Sequence, residues 1–443
     1  MALTSVAFKN HKIIAMKKNF LFTILCTTIT FGCYAQLNYL GLKEELTPPP
    51  GQYAGGLKPK IQVLDDYLYV PTYSGIYRKQ LSGATANWEL FAFGGQPVSD
   101  FVKNGDHILA ITNKTSDSLM LSSVDNGSTF TDFTPEHFFS MENFNRLYRI
   151  SQNKQNPNSI IVLHLSYGLS KSTDFGETWT NLNDFTGGFQ DRYADFHPSD
   201  SLTIYYGGET EIFSSYIQHT SDGGLTWNRT DNTDNNCVHF IAADPDNPDL
   251  VLSASEGRIT RSLDRGLTWE EPYWVDEYFY IYKILFEADG SGVIYAGGTI
   301  NSTNNAIVVF RSVDEGVSWQ IAYEEDLEDN GGIRDMLQYE GQLIFLTGNE
   351  GIYTLDINLL NTYIPAYKNF AVYPNPASSF LEYDGDSAVT TIIITDMHGR
   401  TVRTETGNNQ KQHKIDISGL SQGTYLVTFH FEKGQITKKI VID

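Results

Sequence analysis

The sequence predicts an all-β protein: a propeller of about seven four-stranded blades followed by a small Ig-like β-sandwich. Three observations carry this expectation. An octapeptide of the form [ST]-x-D-x-G-x-[ST]-[WF] recurs five times, its aspartates Asp125, Asp174, Asp222, Asp264 and Asp314 standing 42 to 50 residues apart. That spacing matches the ~40–50 residue period of propeller blades. Strand-like runs recur around each copy: Val238–Ala242, then Val251–Ser255, a Glu256-Gly257 turn, and Arg258–Arg261, with Trp269 opening a fourth strand. Four-stranded antiparallel repeats of this length stack radially around a channel. Finally, 26 Tyr and 26 Phe against 6 Trp, with only 19% charged residues, suit pleated sheets and exclude a disordered chain.

Each octapeptide reads as a reinforced hairpin turn. Its Asp and Ser/Thr oxygens can accept backbone N–H bonds, its Gly supplies a positive φ, and its closing aromatic fills an apolar gap. These octapeptides resemble Asp boxes, or BNR repeats, which occur in sialidases, other glycosidases, sortilin-type receptors and photosystem assembly factors. The resemblance implies a structural box between the third and fourth strands of a blade, away from the ligand face, so Asp125, Asp174, Asp222, Asp264 and Asp314 are assigned no catalytic role. The boxes cover blades two to six. A degenerate copy ending in Trp88 marks an earlier blade and Gly351-Ile-Tyr-Thr-Leu a later one, giving seven, with six or eight compatible with the same spacing. Leu37–Leu46 is placed to supply a strand that closes the ring.

The two ends of the chain read as addresses. Residues 1–35 form a signal peptide whose true start is expected at Met16: Lys17 and Lys18 precede the apolar run Phe20–Phe31, and Cys33-Tyr34-Ala35 ends at a small-residue cleavage site. That run is shorter than the ~20 residues of a spanning helix. Thr30-Phe31-Gly32 before Cys33 is a poor lipid-modification sequence. Beyond Gln36 only Cys237 remains, so no intrachain disulfide is available.

The propeller is assigned to residues 36–361, a linker to 362–367 and a C-terminal domain to 368–443. The last carries Asn369-Phe-Ala-Val-Tyr373-Pro374-Asn375-Pro376, a hairpin turn at Asp396–Arg400, Leu420-Ser-Gln-Gly423-Thr-Tyr425 and a final Lys438-Lys-Ile-Val-Ile-Asp443. Together these motifs resemble the type A sorting domain of the type IX, or Por, secretion system of certain Gram-negative bacteria. The resemblance implies transport through the periplasm and outer membrane by that machinery, removal of the domain, and a product released or anchored to surface lipopolysaccharide. An extracellular or outer-membrane surface location is therefore expected.

Several function classes fall away. A net charge of −22 repels phosphate backbones, so nucleic acid is not an expected partner. HExxH, paired CxxC and regular calcium loops are absent from the sequence, and the Asp/Asn clusters at 231–236 and 244–247 read as turns. No cofactor or metal is expected, and a monomer is. Asp-box sialidases bind a carboxylate through three arginines; here no such triad is evident from spacing, and Arg149 in Tyr148-Arg149-Ile150-Ser151 reads as an ordinary strand residue. No catalytic residue is assigned.

The expected function is a non-catalytic binding module for an extracellular polysaccharide or protein; the alternative is a secreted glycoside hydrolase, sialidase- or xyloglucanase-like. An assembly factor of the photosystem type fits the export signals poorly. The ligand face is expected opposite the boxes, where connectors gather. Trp274, Tyr278 and Tyr280 crowd the Glu271–Tyr280 connector, and Arg192 and Asp335 stand near the channel mouth with Asp100, Arg146, Asp191, His239, Tyr282 and Arg334. Packing between blades accounts for the same aromatics without a ligand.

Overall fold

The computed structural model describes residues 37–442 except residues 51–56, 84–85, 113, 115–117, 137, 139–145, 166–167, 183–187, 211–213, 233–236, 276–278, 288–289, 301–305, 328–330, 362–369, 397–399 and 432–434. Residues 1–35, Tyr278 and the proposed linker lie outside the described residues.

Seven four-stranded antiparallel sheets follow one another along residues 62–92, 98–132, 147–181, 188–232, 238–274, 279–326 and 333–356, the last completed by Asn38–Gly41. They are the blades of a propeller, numbered one to seven here. Within each blade the chain runs from the innermost strand outward. Second strands such as Ile160–His164 and Val251–Ser255 are buried along their whole length, as expected for strands covered on both faces. The apolar clusters of the propeller each span adjacent blades: Tyr69 with Phe101, Leu109 with Ile150, Leu163 with Tyr206, Tyr205 with Val251, and Tyr295 with Phe345.

The ring is closed by the N-terminal strand. Asn38–Gly41 pairs antiparallel with Ile352–Asp356 as the outermost strand of blade seven, Tyr39 opposite Tyr353. Trp88, in the degenerate copy of blade one, donates its indole N–H to the Leu40 carbonyl at 2.6 Å, and the Lys43 ammonium lies 2.7 Å from Glu350. Leu42, Leu46, Ile61, Leu68, Ile344 and Leu346 fill the seam between blades seven and one.

The five boxes share one geometry, each between the third and fourth strands of its blade. In blade five the Ser262 hydroxyl donates to Asp264 Oδ1 at 2.8 Å and accepts the Gly266 N–H at 2.8 Å, while the Thr268 N–H and hydroxyl donate to Asp264 Oδ1 and Oδ2 at 2.8 and 2.6 Å. Ser123, Ser172, Thr220 and Ser312 repeat the pattern. Two successive residues take positive φ, not one: Arg265 at 64° and Gly266 at 90° in blade five, Glu315 at 58° and Gly316 at 84° in blade six. The box glycine also touches the preceding blade. A Cβ on Gly316 would stand 2.9 Å from Leu252, and one on Gly127 would stand 2.4 Å from the Ala92 Cβ.

One sequence reading needs adjustment. Trp269 does not open the outermost strand of blade five. Glu270 already donates to the Arg261 carbonyl, but Pro272 has no N–H to offer and the strand is only Tyr273–Trp274. The C-terminal domain is β-sandwich-like, as expected, its five strands hydrogen-bonded into one sheet around a single core. The strand Phe380–Asp396 stays paired with Thr401–Asp416 along its length and exchanges its other neighbour, Ala371–Tyr373, for Gly423–Phe431 across the pairing break between Asp384 and Val389. Phe370, Tyr383, Ile394, Ile415, Phe429 and Ile440 lie in that core, and the Asp396–Arg400 turn is fastened by an ion pair of 2.7 Å.

Replacing Trp319, 7% exposed with its indole N–H on the Gly316 carbonyl at 3.1 Å, by Ala is expected to destabilise the propeller by about 3–5 kcal/mol. Trp269→Ala should cost less, because that ring is only partly buried. Chemical denaturation of both variants checks the order. The boxes also set a pH dependence. Hydrogen bonds from the Thr129 hydroxyl and N–H and from the Ser123 hydroxyl push the Asp125 carboxyl down to about 2. Its folded value lies below its unfolded one, so its contribution is complete above the ordinary carboxylate value of about 3.9 and fades as pH falls towards 2. Thermal melts should therefore lose stability across that window, and less of it in Asp125→Asn.

Candidate functional site

In six of the seven innermost strands the pairing register slips at the same place, close to the strand's first residues. The slips lie at Val98/Asp100, Leu147/Arg149, Asp191/Tyr193, Val238/Phe240, Ile281/Lys283 and Ile333/Asp335. Each is a β-bulge with one additional residue, respectively Ser99, Tyr148, Arg192, His239, Tyr282 and Arg334. Bulges bend a strand and re-aim a side chain. Here they turn a ring of side chains toward the channel mouth, on the face opposite the boxes.

The ring is connected across blades. An Arg192 guanidinium N–H reaches the Tyr148 hydroxyl at 3.5 Å. The His239 and Tyr282 ring centres are 5.0 Å apart, and the Arg334 guanidinium lies over Tyr282 at 5.1 Å. Lys58, on the segment that leads into blade one, brings its ammonium within 5.9 Å of the same Tyr282 ring. Burial, together with Arg334, Arg192 and Arg146, holds the Lys58 ammonium below its usual value, against the opposing pull of Tyr148. Burial likewise lowers Arg146, which Tyr148 and Tyr73 partly offset. Arg192 of blade four, Arg334 of blade seven and Lys58 ahead of blade one thus lie around the Tyr148 and Tyr282 phenols. On the blade-four and blade-five side stand Glu209 and Glu256, the latter 3.7 Å from His239. Burial and then Glu256 raise the Glu209 carboxyl.

One layer deeper the channel is compensated. The residue after each bulge faces its neighbours: Lys283 and Asp335 form a 2.8 Å ion pair, Lys283 lies over Phe240 at 5.0 Å, and Arg149 lies over Tyr193 at 5.1 Å. Asp335 also accepts the Ile61 and Met336 N–H groups at 2.8 and 2.9 Å, joining blades six, seven and one. Asp100 accepts the Phe101 and Ile150 N–H groups, and burial raises its carboxyl to about 6 even with Lys60 and Arg149 beside it. This layer is a set of clasps between blades.

The residues singled out from the sequence separate accordingly. Arg192 is in the mouth ring, and Tyr280 packs on His239 at 5.6 Å with its backbone bridged to Glu256. Asp335 is buried in the deeper layer with both oxygens engaged. Trp274 is a strand residue rather than a connector residue, 57% exposed, with the Arg258 guanidinium 4.3 Å above its ring. It sits on the outermost strand of blade five, three strand spacings or roughly 14 Å from the innermost. Neither Lys58 nor Tyr148 is marked as a mouth residue by the repeat, and the grouping of Arg146, Arg192 and Arg334 is invisible to spacing. The recoverable signal was the polar residue standing two or three places before the apolar core of each innermost strand. Asp244, in the 244–247 cluster read as a turn, accepts the N–H groups of Asp246 and Asn247 as an ordinary turn does.

Comparison with known proteins divides the chain in the same way. The C-terminal strands, residues 371–443, match the family described as secretion system C-terminal sorting domain. Residues 371–443 are a secretion-system sorting domain. The protein is therefore exported to the cell surface or the extracellular space. Among the described residues no helix is long and apolar enough to cross a membrane.

The propeller's relatives are more distant. A probable oligoxyloglucan-reducing end-specific xyloglucanase of Neosartorya fischeri is 25% identical over 178 residues, 34% of this chain and 22% of that protein. YCF48 from Cyanidioschyzon merolae superposes with a TM-score of 0.50 at 12% identity, over 72% of this chain and 98% of its own. A virginiamycin B lyase from Staphylococcus aureus gives 0.52 at 12% identity, over 73% and 99%. These structural likenesses establish the propeller fold.

Removing residues 368–443, the sorting domain with its leading residues, is expected to leave the propeller folded and held in the periplasm. Cell fractionation checks this: the truncated chain should be absent from the medium and the cell surface, where the full chain is found.

Proposed function

We propose that the propeller is a non-catalytic binding module, carried out of the cell by its sorting domain, that takes an extracellular polysaccharide or protein at the channel mouth. In this reading residues 1–35 direct the chain to the periplasm and the sorting domain engages the type IX machinery. The observation that carries the proposal is the ring of bulged side chains, Tyr148, Arg192, His239, Tyr282 and Arg334, gathered with Lys58 and Arg146 on the face the boxes leave open. Bulges at six matching positions cost ladder hydrogen bonds, and the deeper layer already supplies the clasps that hold the blades. Arg192 and Tyr280 contribute to the site itself. Trp274 supplies an outlying platform for a ligand long enough to reach it, since an aromatic face covers the apolar C–H face of a sugar. Asp335 acts through the clasp it makes with Lys283.

A second reading, glycoside hydrolysis, is favoured by the presence of two carboxylates on the blade-four and blade-five side of the mouth, Glu209, raised by burial and then by Glu256, and Glu256 itself. The 25% identity to a xyloglucanase over a third of the chain points the same way. Against it, the described carboxylates deeper in the channel are tied to backbone amides or lysine.

Glycan and peptide arrays probed with the mature chain test the proposal. Binding is expected to disappear in Tyr282→Ala and to weaken in Trp274→Ala only for polymeric ligands, both variants retaining their melting temperature within a few degrees. Binding indifferent to Tyr282 would place the site elsewhere. Release of reducing sugar from xyloglucan oligosaccharides, abolished in Glu209→Gln or Glu256→Gln, would establish the hydrolase instead.

A further inference from the structure

A second recess lies outside the mouth, in the slot between blades four and five. There a cavity of about 410 Å³ separates the third and fourth strands of blade four from blade five. Elsewhere apolar side chains meet across the seams. Here Ser215 and Thr230 of blade four line the space with Ser253, Ser255 and Thr260 of blade five. These five hydroxyls make no hydrogen bond among the described residues, so their donors and acceptors are left to whatever occupies the cavity.

Two local departures from the repeat accompany the slot. Between the Ile259–Tyr273 pair and the Glu270 N–H on the Arg261 carbonyl, Glu271 and Pro272 stand opposite the single residue Thr260. This is a bulge, and its proline has no N–H to give the ladder. Trp269 departs as well. The indoles of Trp179 and Trp319 donate to the carbonyl of their own box glycine at 2.8 and 3.1 Å, whereas the Trp269 N–H is buried without an acceptor. An unmet buried donor is costly, and this one belongs to the cavity wall.

The lining also defines what fits. Ile217, Val238 and Pro272 supply apolar surface, and Asp231, Glu270 and Glu271 stand at the edge. Asp231 and Glu270 are paired with Arg229 and Arg261 at 2.6 and 2.8 Å. Among the described residues no lysine or arginine lines the cavity, so an anion would meet carboxylates with no cation turned to it. A ring with hydroxyls at its edge and C–H groups on its faces matches hydroxyls, one indole donor and an apolar floor together. The volume falls at the small end of the roughly 300–1,000 Å³ of small-molecule sites.

We propose that this slot binds a single neutral sugar residue, its C–H groups against Ile217 and Val238, one of its oxygens accepting from the Trp269 N–H, and its hydroxyls engaged by the serines and threonines of both blades. Val238 precedes the bulged His239, so the inner end of the slot adjoins the mouth. The proposal stands on the slot's own residues and does not require a ligand at the mouth.

Isothermal titration of the mature chain, sorting domain included, tests it with the methyl glycosides of glucose, galactose, mannose, fucose and xylose, and with those of glucuronic acid and glucosamine as charged controls. At least one neutral glycoside is expected to bind, with the glucuronide weaker by about tenfold or more. Trp269→Phe keeps an aromatic at a box position where blade two has Phe130 and removes the N–H, and it should weaken the sugar by about threefold to tenfold. Ser253→Leu fills the slot and should abolish binding. Melting curves keep folding defects apart from binding defects. Should Ser253→Leu melt early, Thr260→Val removes a hydroxyl while keeping the side-chain shape, with an expected weakening of about threefold or more. Failure of all five neutral glycosides, or binding unchanged in both Trp269→Phe and the slot variant, would overturn the proposal. Tighter binding of the glucuronide or the glucosaminide than of every neutral glycoside would overturn the neutral class. Binding lost in Tyr282→Ala and retained in Ser253→Leu would move the sugar to the mouth and overturn the slot.

Discussion

The propeller depends on a hydrogen-bond circuit spanning seven residues, repeated five times. A Ser or Thr hydroxyl, an Asp carboxylate and a Thr or Ser four residues further on close a turn in which two consecutive residues take the left-handed conformation. That conformation is what brings the box glycine against the preceding blade, as Gly316 lies on Leu252 and Gly176 on Leu109. The turn therefore does two jobs at once: it ends one strand and begins another, and it seats a blade on its neighbour. Tyr205 donating to the Arg265 carbonyl and Tyr273 donating to the Trp319 carbonyl extend the same seam from the other side. Blades one and seven lack boxes, and there the N-terminal strand, Trp88 and the Lys43–Glu350 pair take over the fastening.

With the outer seams held by boxes, the inner strands carry the polar layers of the channel. A bulge near the start of six of them separates two layers with different electrostatics. The deeper layer alternates charge, with Lys60, Arg149 and Lys283 among Asp100, Asp195 and Asp335, and its carboxylates accept backbone N–H groups. The upper layer gathers cations. The same one-residue slip that produces the upper ring turns the next residue into the clasp beneath it, so the site and its support come from one backbone feature.

The fold was legible because its signal is local. The box spans eight residues and its period is fixed, so blade order, the position of the turns and the closing strand followed from Asp125, Asp174, Asp222, Asp264, Asp314, Trp88 and Leu37–Leu46. The site was only partly legible. Arg146, Arg192, His239, Tyr282 and Arg334 could be placed near the mouth by counting from each box, but the bulge that aims them depends on register between strands, which periodicity does not report. Asp335 reads from the sequence as a mouth residue because its partner Lys283 lies in another blade, 52 positions earlier. Trp274 looked like a loop residue because a two-residue strand leaves almost no pattern, and Lys58 carries no motif at all.

Hydrogen–deuterium exchange on the mature chain, with and without a polysaccharide or peptide ligand identified on the arrays, tests the division of labour between the two faces most directly. Protection is expected at the bulged segments around Tyr148, Arg192, His239, Tyr282 and Arg334, with exchange in the five boxes unchanged. Protection centred on the boxes, with the bulged segments indifferent to ligand, would contradict it.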